Sequence, residues 1–196
     1  MRIGIDFDNT IACYEGVFHR AAVERELIPE TLGTDKNTVR NYLREKGRED
    51  DWTELQGYVY GARMDMVALY DGFTAFVEEA RSQGHDLLII SHKTKAPFMG
   101  PAYDLHASAR KFLQETGILS PEKVPEVYFE LTLEEKVARI AGENCDCFVD
   151  DLPELLGHED FPENVRGILF DPDNHHDESP FEKRASWRAI AQELLG

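Results

Sequence analysis

Five short apolar runs punctuate the chain, at 3–7, 87–90, 127–129, 147–149 and 168–170. Each is too short for a helix and is bounded by polar or turn residues, so each predicts a buried strand. Between the later runs, apolar positions recur at helical spacing. Phe73, Phe76, Val77 and Ala80 fall at i, i+3, i+4 and i+7, and Gly84 closes the pattern. Leu105, Ala109, Phe112 and Leu113 form a second stripe, stopped by Gly117. Leu133, Val137 and Ile140 form a third, opened by Thr132 with Glu135 three residues on, the spacing of a capping box. A last helix is expected from about 186 to 195. Strands alternating with helices predict an α/β fold with a mostly parallel sheet covered on both faces. Ligands of such sheets bind beyond the carboxyl ends of the strands. The polar residues just after each strand therefore matter most.

One segment breaks the rhythm. Residues 14–68 separate the first strand from the helix leading to the second, and they read as helical and polar. With 11 acidic and 8 basic residues their net charge is −3. A small α-helical insertion is expected there, with 1–13 and 69–196 forming the core. Within it Lys36, Arg40, Arg44 and Arg48 recur every four residues, with Lys46 beside them. That spacing makes a basic stripe on one helix face. Gly47 is expected to end the helix, which leaves Arg48 beyond it. Arg40 and Arg44 are candidate contacts for an anionic substrate; the alternative is a solvated helix face. Tyr58, Tyr60 and Arg63 are further candidates.

Charge and cysteine count narrow the function classes. The net charge is −17 over 196 residues. This opposes broad attraction to nucleic acid or to acidic membranes, so neither is expected as a partner. The run Thr38 to Glu45 has the look of a helix-turn-helix recognition helix, a reading that the same net charge opposes. Three cysteines, Cys13, Cys145 and Cys147, are an odd number in a chain long enough to fold without staples. Cys145 and Cys147 alternate in a run that reads as buried strand, so core packing rather than metal binding is expected of them, in a reducing compartment. The chain enters its first strand at once, and no apolar run reaches the ~20 residues of a membrane span. A cytoplasmic protein, monomer or homodimer, is expected.

Four clusters at strand ends carry candidate chemistry. The first strand runs into Asp6-Phe7-Asp8-Asn9-Thr10. In extended chain, positions i and i+2 point the same way, so Asp6 and Asp8 crowd together unless a cation relieves them. Hard oxygen ligands suit Mg²⁺; the alternative is a pair of solvated aspartates. The second strand ends in Ser91-His92-Lys93, where a hydroxyl and cations can meet a phosphate. Lys136 stands in the first turn of its helix, where a cation opposes the helix dipole. Such a local mismatch marks either a functional residue or a snorkelling lysine. The fourth run ends in Asp150-Asp151, a second acidic pair at the same sheet edge.

These four clusters, in this order over about 145 residues, resemble the motifs of the haloacid dehalogenase (HAD) superfamily. Asp6-Phe7-Asp8-Asn9-Thr10 is similar to the first motif, Ser91 to the second, Lys136 to the third and Asp150-Asp151 to the fourth. The resemblance implies a Rossmann-like core with the first strand central, and a helical cap inserted after the first motif. It implies a Mg²⁺-dependent phosphohydrolase acting on a small phosphorylated metabolite, a sugar phosphate or a nucleoside monophosphate. Asp6 would be the nucleophile and Asp8 the general acid and base. Mg²⁺ would lie on Asp6, the Asp8 backbone carbonyl and the fourth motif, with Asp151 the direct ligand and Asp150 its support, or the reverse. Ser91 and Lys136 would hold the phosphoryl oxygens, Thr10 would support the loop, and His92 and Lys93 would contact substrate. Dehalogenases of the superfamily lack the second aspartate, so Asp8 argues for phosphate chemistry. A phosphotransferase or mutase would use the same residues. The stretch 167–174 with Ser186-Trp187 is similar to the family's 5′-deoxyribonucleotidases, whereas Ser91-His92-Lys93 departs from their pattern.

Overall fold

A computed structural model describes all 196 residues. The chain divides into two compact units: Met1–Cys13, Leu69–Lys93 and Leu113–Gly196 in the first, and Tyr14–Ala68 with Thr94–Phe112 in the second.

The first unit is built on a six-stranded sheet. Its strands are β1 (Arg2–Ile5), β4 (Asp86–His92), β5 (Glu126–Glu130), β6 (Cys147–Asp150), β7 (Arg166–Phe170) and β8 (Glu182–Arg184), in the order β5-β4-β1-β6-β7-β8. Every pairing is parallel. The five expected strands are all present, and β1 lies inside the sheet between β4 and β6. From β1 the chain proceeds outward through β4 and β5, then returns to the other side of β1 for β6, β7 and β8. Neighbours β1 and β6 therefore form the switch point of the sheet, where ligand crevices open at strand carboxyl ends. Gly4 has a packing reason at this centre: a Cβ there would come within 2.5 Å of the Phe148 ring.

Apolar periodicity explains the helices on this sheet. In α6 (Leu133–Gly142) the buried Val137 and Ile140 join Leu88, Ile90, Phe148 and Leu155 in one core cluster. A second apolar layer brings Phe73 and Phe76 of α4 (Phe73–Ser82) against Trp187 of α8 (Trp187–Leu194), with ring centroids 4.7 and 4.8 Å apart. Phe170 of β7 extends it, 5.6 Å from Trp187. Cys145 and Cys147 are buried free thiols, as core packing requires. Burial pushes them up, to about 11 and about 12, by penalising the thiolate.

Two elements lie outside the expected pattern. Strand β8 lies between the fifth apolar run and the last helix, in charged sequence with no apolar run, and α7 (Pro153–Leu156) is one short turn after Asp151. The loop preceding β8 is folded around the buried Asp171, whose carboxylate accepts the backbone N–H groups of His175 and His176 at 2.8 and 3.0 Å. The strand β4 also extends beyond 87–90, so that Ser91 and His92 are its last two residues rather than its successors.

The second unit holds three helices, α1 (Val17–Glu24), α2 (Lys36–Glu45) and α3 (Glu49–Ala62), which pack on one another. Phe18 and Trp52 pair at 5.3 Å, and Tyr14 and Tyr60 at 5.2 Å, to fill their interior. Gly47 stands at φ 70° beyond α2, and Arg48 takes the position before α3, with no capping hydrogen bond from its side chain. The segment Thr94–Phe112, with most of α5 (Leu105–Glu115), clusters with these helices rather than with the sheet to which the expected boundaries assigned it. Gly57 of α3 makes room for it, since a Cβ there would meet Pro97 at 2.6 Å. The short strands β2 (Ala12–Cys13) and β3 (Ala68–Leu69) form a separate two-stranded sheet. No helix is long and apolar enough to cross a membrane.

Candidate active site

All the residues singled out at strand ends belong to the first unit, and the fold gathers most of them at one point. Asp6 directly follows β1, and its amide still donates to the Val149 carbonyl of β6 at 2.9 Å. The next residues turn sharply. The amides of Ile11 and Ala12 both donate to the Phe7 carbonyl, at 3.0 and 2.9 Å, and Asn9 takes φ 57°. Asparagine is among the few residues that tolerate this left-handed conformation. Asp6, Phe7 and Thr10 are buried, and Asp8 is partly exposed.

Lys136 reaches this loop from α6. Its helix begins with the expected capping box: the Glu135 amide donates to Thr132 Oγ1 at 3.1 Å, and Glu135 Oε2 accepts the Thr132 amide at 3.2 Å. The Lys136 ammonium donates to Asp6 Oδ1 and to Asp150 Oδ2, both at 2.6 Å. It is 2% exposed, so snorkelling does not describe it. A cation in the first helical turn is held here by carboxylates from β1 and β6 rather than by its own helix. Burial works against its charge, but Asp150 and Asp6 more than offset that, and Lys136 titrates above an ordinary lysine.

Carboxylates outnumber this cation. Ligand oxygens of Asp6, Asp150 and Asp151 all lie within 4.8 Å of one another. Asp150 is fully buried and uses its second oxygen to accept the Leu152 amide at 2.9 Å. Burial pushes its carboxyl up to about 7, against Lys136 and with Asp6. Asp151 is raised well above the usual carboxylate range, first by burial and then by Asp150 and Asp6, with only Lys136 opposing. An oxygen-only donor set with surplus negative charge fits a hard divalent cation such as Mg²⁺. Asp150 is already committed to Lys136 and to a backbone amide, which leaves Asp151 better suited to ligate directly.

The remaining candidates divide. Ser91 is buried at the end of β4. Lys93 follows it, and its ammonium donates to Asp8 Oδ2 at 2.7 Å. His92 is exposed, with Nε2 3.0 Å from the Leu131 carbonyl. Thr10 is fully buried, its hydroxyl meets no protein partner, and its carbonyl accepts the Trp187 indole N–H at 2.9 Å. Arg40 and Arg44 belong to the second unit. Arg44 grips Glu49 through two hydrogen bonds, at 2.6 and 2.8 Å, and the Arg40 Nε contacts Asn41 at 3.4 Å. Lys36 lies 4.8 Å from the Phe18 ring centroid and bonds the Tyr60 hydroxyl at 3.0 Å. Arg63 is paired with Glu24 and Asp65. The anchoring of Thr10 by Trp187 and the pairing of Lys93 with Asp8 carry no local sequence signal.

No family model and no curated protein matches this sequence. Solved structures do match over nearly the whole chain. A HAD family hydrolase from Deinococcus radiodurans R1, with bound phosphate and sodium, superimposes with TM-score 0.60 at 14% identity, covering 97% of this chain and 95% of that one. A HAD phosphatase from Thermococcus onnurineus gives TM-score 0.57 at 15% identity, covering 100% and 98%. The protein has the HAD fold. A dehalogenase matches equally well, with TM-score 0.60 at 13% identity and coverage of 100% and 97%. The HAD fold thus accommodates more than one chemistry, and the side chains at the strand ends must decide which applies.

Proposed function

We propose that the protein is a Mg²⁺-dependent phosphohydrolase that cleaves a small phosphorylated metabolite, a sugar phosphate or a nucleoside monophosphate, through an aspartyl phosphate on Asp6. The observation that carries this reading is the convergence of Asp6, Lys136, Asp150 and Asp151 at the β1/β6 switch point. A second aspartate, Asp8, follows in the same loop, and its presence favours phosphoryl transfer over dehalogenation.

Asp6, Asp151 and the Asp8 backbone carbonyl would hold the metal, with Asp150 in support. Bound there, Mg²⁺ supplies positive charge to the phosphoryl oxygens. An Asp6 carboxylate oxygen bonds to phosphorus while the P–O ester bond breaks. The leaving oxygen takes a proton from Asp8. Asp8 then accepts a proton from water as the water oxygen bonds to phosphorus, and the Asp6 carboxylate is released with inorganic phosphate. Lys136 and Ser91 stabilise the charge on the transferred group.

The test is phosphate release from a panel of phosphorylated metabolites, with Mg²⁺ or with chelator, for wild type and Asp6→Asn. Release that requires metal and falls at least ~1000-fold in the variant is expected. Undiminished release from Asp6→Asn would remove Asp6 as nucleophile, and no release from any ester would sink the hydrolase reading.

A further inference from the structure

The ammonium of Lys93 is committed to a different carboxylate from that of Lys136. Lys93 is the first residue beyond β4, and its amide donates to the Glu130 carbonyl of β5 at 2.8 Å. The sheet ladder thus fixes the base of its side chain. That side chain is 3% exposed and ends 2.7 Å from Asp8 Oδ2. On the way its Nζ lies 5.3 Å from the centroid of the Phe7 ring, which is buried and packs edge-on against Phe129 at 6.1 Å. A buried ammonium is costly unless paired, so this packing makes the Asp8 contact the low-energy state of the lysine.

Asp8 is constrained from its other side as well. It forms a bridge with Ala12 across the tight turn that begins at Phe7. Its backbone is set by that turn, and one carboxylate oxygen is set by a rigidly based cation 85 residues away. A carboxylate so held has little rotational freedom left, the preorganisation that a proton-transferring group requires.

We propose that Lys93 is a positioning residue for Asp8. It holds Oδ2, so that Oδ1 is the oxygen that gives its proton to the leaving group and later takes one from water. This rests on the reading of Asp8 as the acid and base of the proposed reaction. Lys93 keeps all its protons throughout; the proton lost from Asp8 Oδ1 when the ester bond breaks is restored by the attacking water. The contact assigns Lys93 to the leaving-group side of the reaction, in place of a direct hold on the phosphoryl group.

The two roles separate in the dependence on leaving group. A phosphoryl contact serves every ester alike, whereas a misplaced acid harms esters with poor leaving groups and spares those that depart without a proton. The experiment measures kcat/KM for p-nitrophenyl phosphate, less activated aryl phosphates and a simple alkyl phosphate, using wild type, Lys93→Met, Lys93→Arg, Asp8→Asn and Asp6→Asn. Binding of inorganic phosphate is titrated in parallel, and thermal melts establish that each variant is folded. For Lys93→Met the expected loss is about 100-fold on the alkyl ester and under about 5-fold on p-nitrophenyl phosphate, within the usual range for acid catalysis. Phosphate binding should stay within about twofold, and Lys93→Arg should recover most of the alkyl-ester rate, because a cation can still hold Oδ2. An equal loss across the series, a tenfold weakening of phosphate binding, or no loss at all would overturn the proposal. Failure of the parent reading looks different: Asp8→Asn would itself show no leaving-group dependence, or Asp6→Asn would keep wild-type rates on every ester. If Asp6→Asn is inactive, Asp8→Asn loses most on the alkyl ester and the Lys93→Met series is flat, the positioning role alone falls.

Discussion

Both units concentrate charge, but they dispose of it in opposite ways. On α2 of the second unit the cations are matched locally: the exposed Arg44 holds Glu49 below the usual carboxylate range by hydrogen bonding, and the half-buried Lys36 rests on aromatic rings of its own unit. At the β1/β6 edge of the first unit one buried cation faces Asp6, Asp150 and Asp151. Exposed, paired charge costs little and does little. Buried charge with an excess of one sign is destabilising, and its presence argues for a ligand that supplies the missing sign. The contrast also separates the two sequence signals: Arg44 of the helix-spaced basic stripe is paired within its own unit, whereas the lysine in the first turn of α6 is held by carboxylates of β1 and β6.

The sharpest way to break this comparison is to remove the buried cation. Lys136→Met leaves two buried carboxylates without their partner and should destabilise the protein by about 3–5 kcal/mol in urea denaturation. A change below 1 kcal/mol would mean that water already satisfies the cluster.

A smaller effect should appear with pH. Asp150 and Asp151 titrate above their unfolded values, so between roughly pH 4 and pH 7 the folded chain holds protons that the unfolded chain has released. Stability in chelator should therefore fall as pH rises through this window. Asp171 and Glu143 are lowered, so their contribution is complete above pH ~4.5 and adds no slope there. Lys136 is raised, so its contribution is complete below its unfolded value and likewise adds none. Saturating Mg²⁺ at pH 8 should raise Tm by roughly 5 °C and flatten the slope. A Tm indifferent to Mg²⁺ would count against the cluster as a metal site.

The smallest effect is expected on the stripe. Arg44→Gln should leave Tm unchanged, because its pair is exposed to solvent. A rise in KM that added salt abolishes would instead make α2 a surface that recruits anionic substrate.

Much of the core was legible because it is written in local pattern. The five apolar runs, the stripe of Phe73, Phe76 and Val77 and the capping box at Thr132 each carry their own signal, and each appears as an element. Strand β8 was hidden because Glu182, Lys183 and Arg184 have no apolar run; as an edge strand they exchange ion pairs instead, Arg166 with Glu182 among them. The second unit's share of 94–112 was hidden because an amphipathic helix does not say which unit it faces. The meeting of Asp6, Lys136 and Asp150 was reached by resemblance. Its electrostatic reason, three carboxylates around one ammonium, required the fold. The pairs Lys93–Asp8 and Trp187–Thr10 join residues 85 and 177 positions apart and leave no periodic trace.

The Trp187 contact also makes the molecule optically self-reporting. Of the two tryptophans, Trp52 lies in the interior of the second unit, and Trp187 in the first unit is hydrogen-bonded to Thr10, four residues after the candidate nucleophile. A Trp52→Phe protein would emit from Trp187 alone, so its spectrum would follow the nucleophile loop. A Trp187→Phe protein would emit only from the helical unit. Nature has thus placed one fluorophore in each half of the chain, and ligand-induced changes can be assigned to a half without attaching any label.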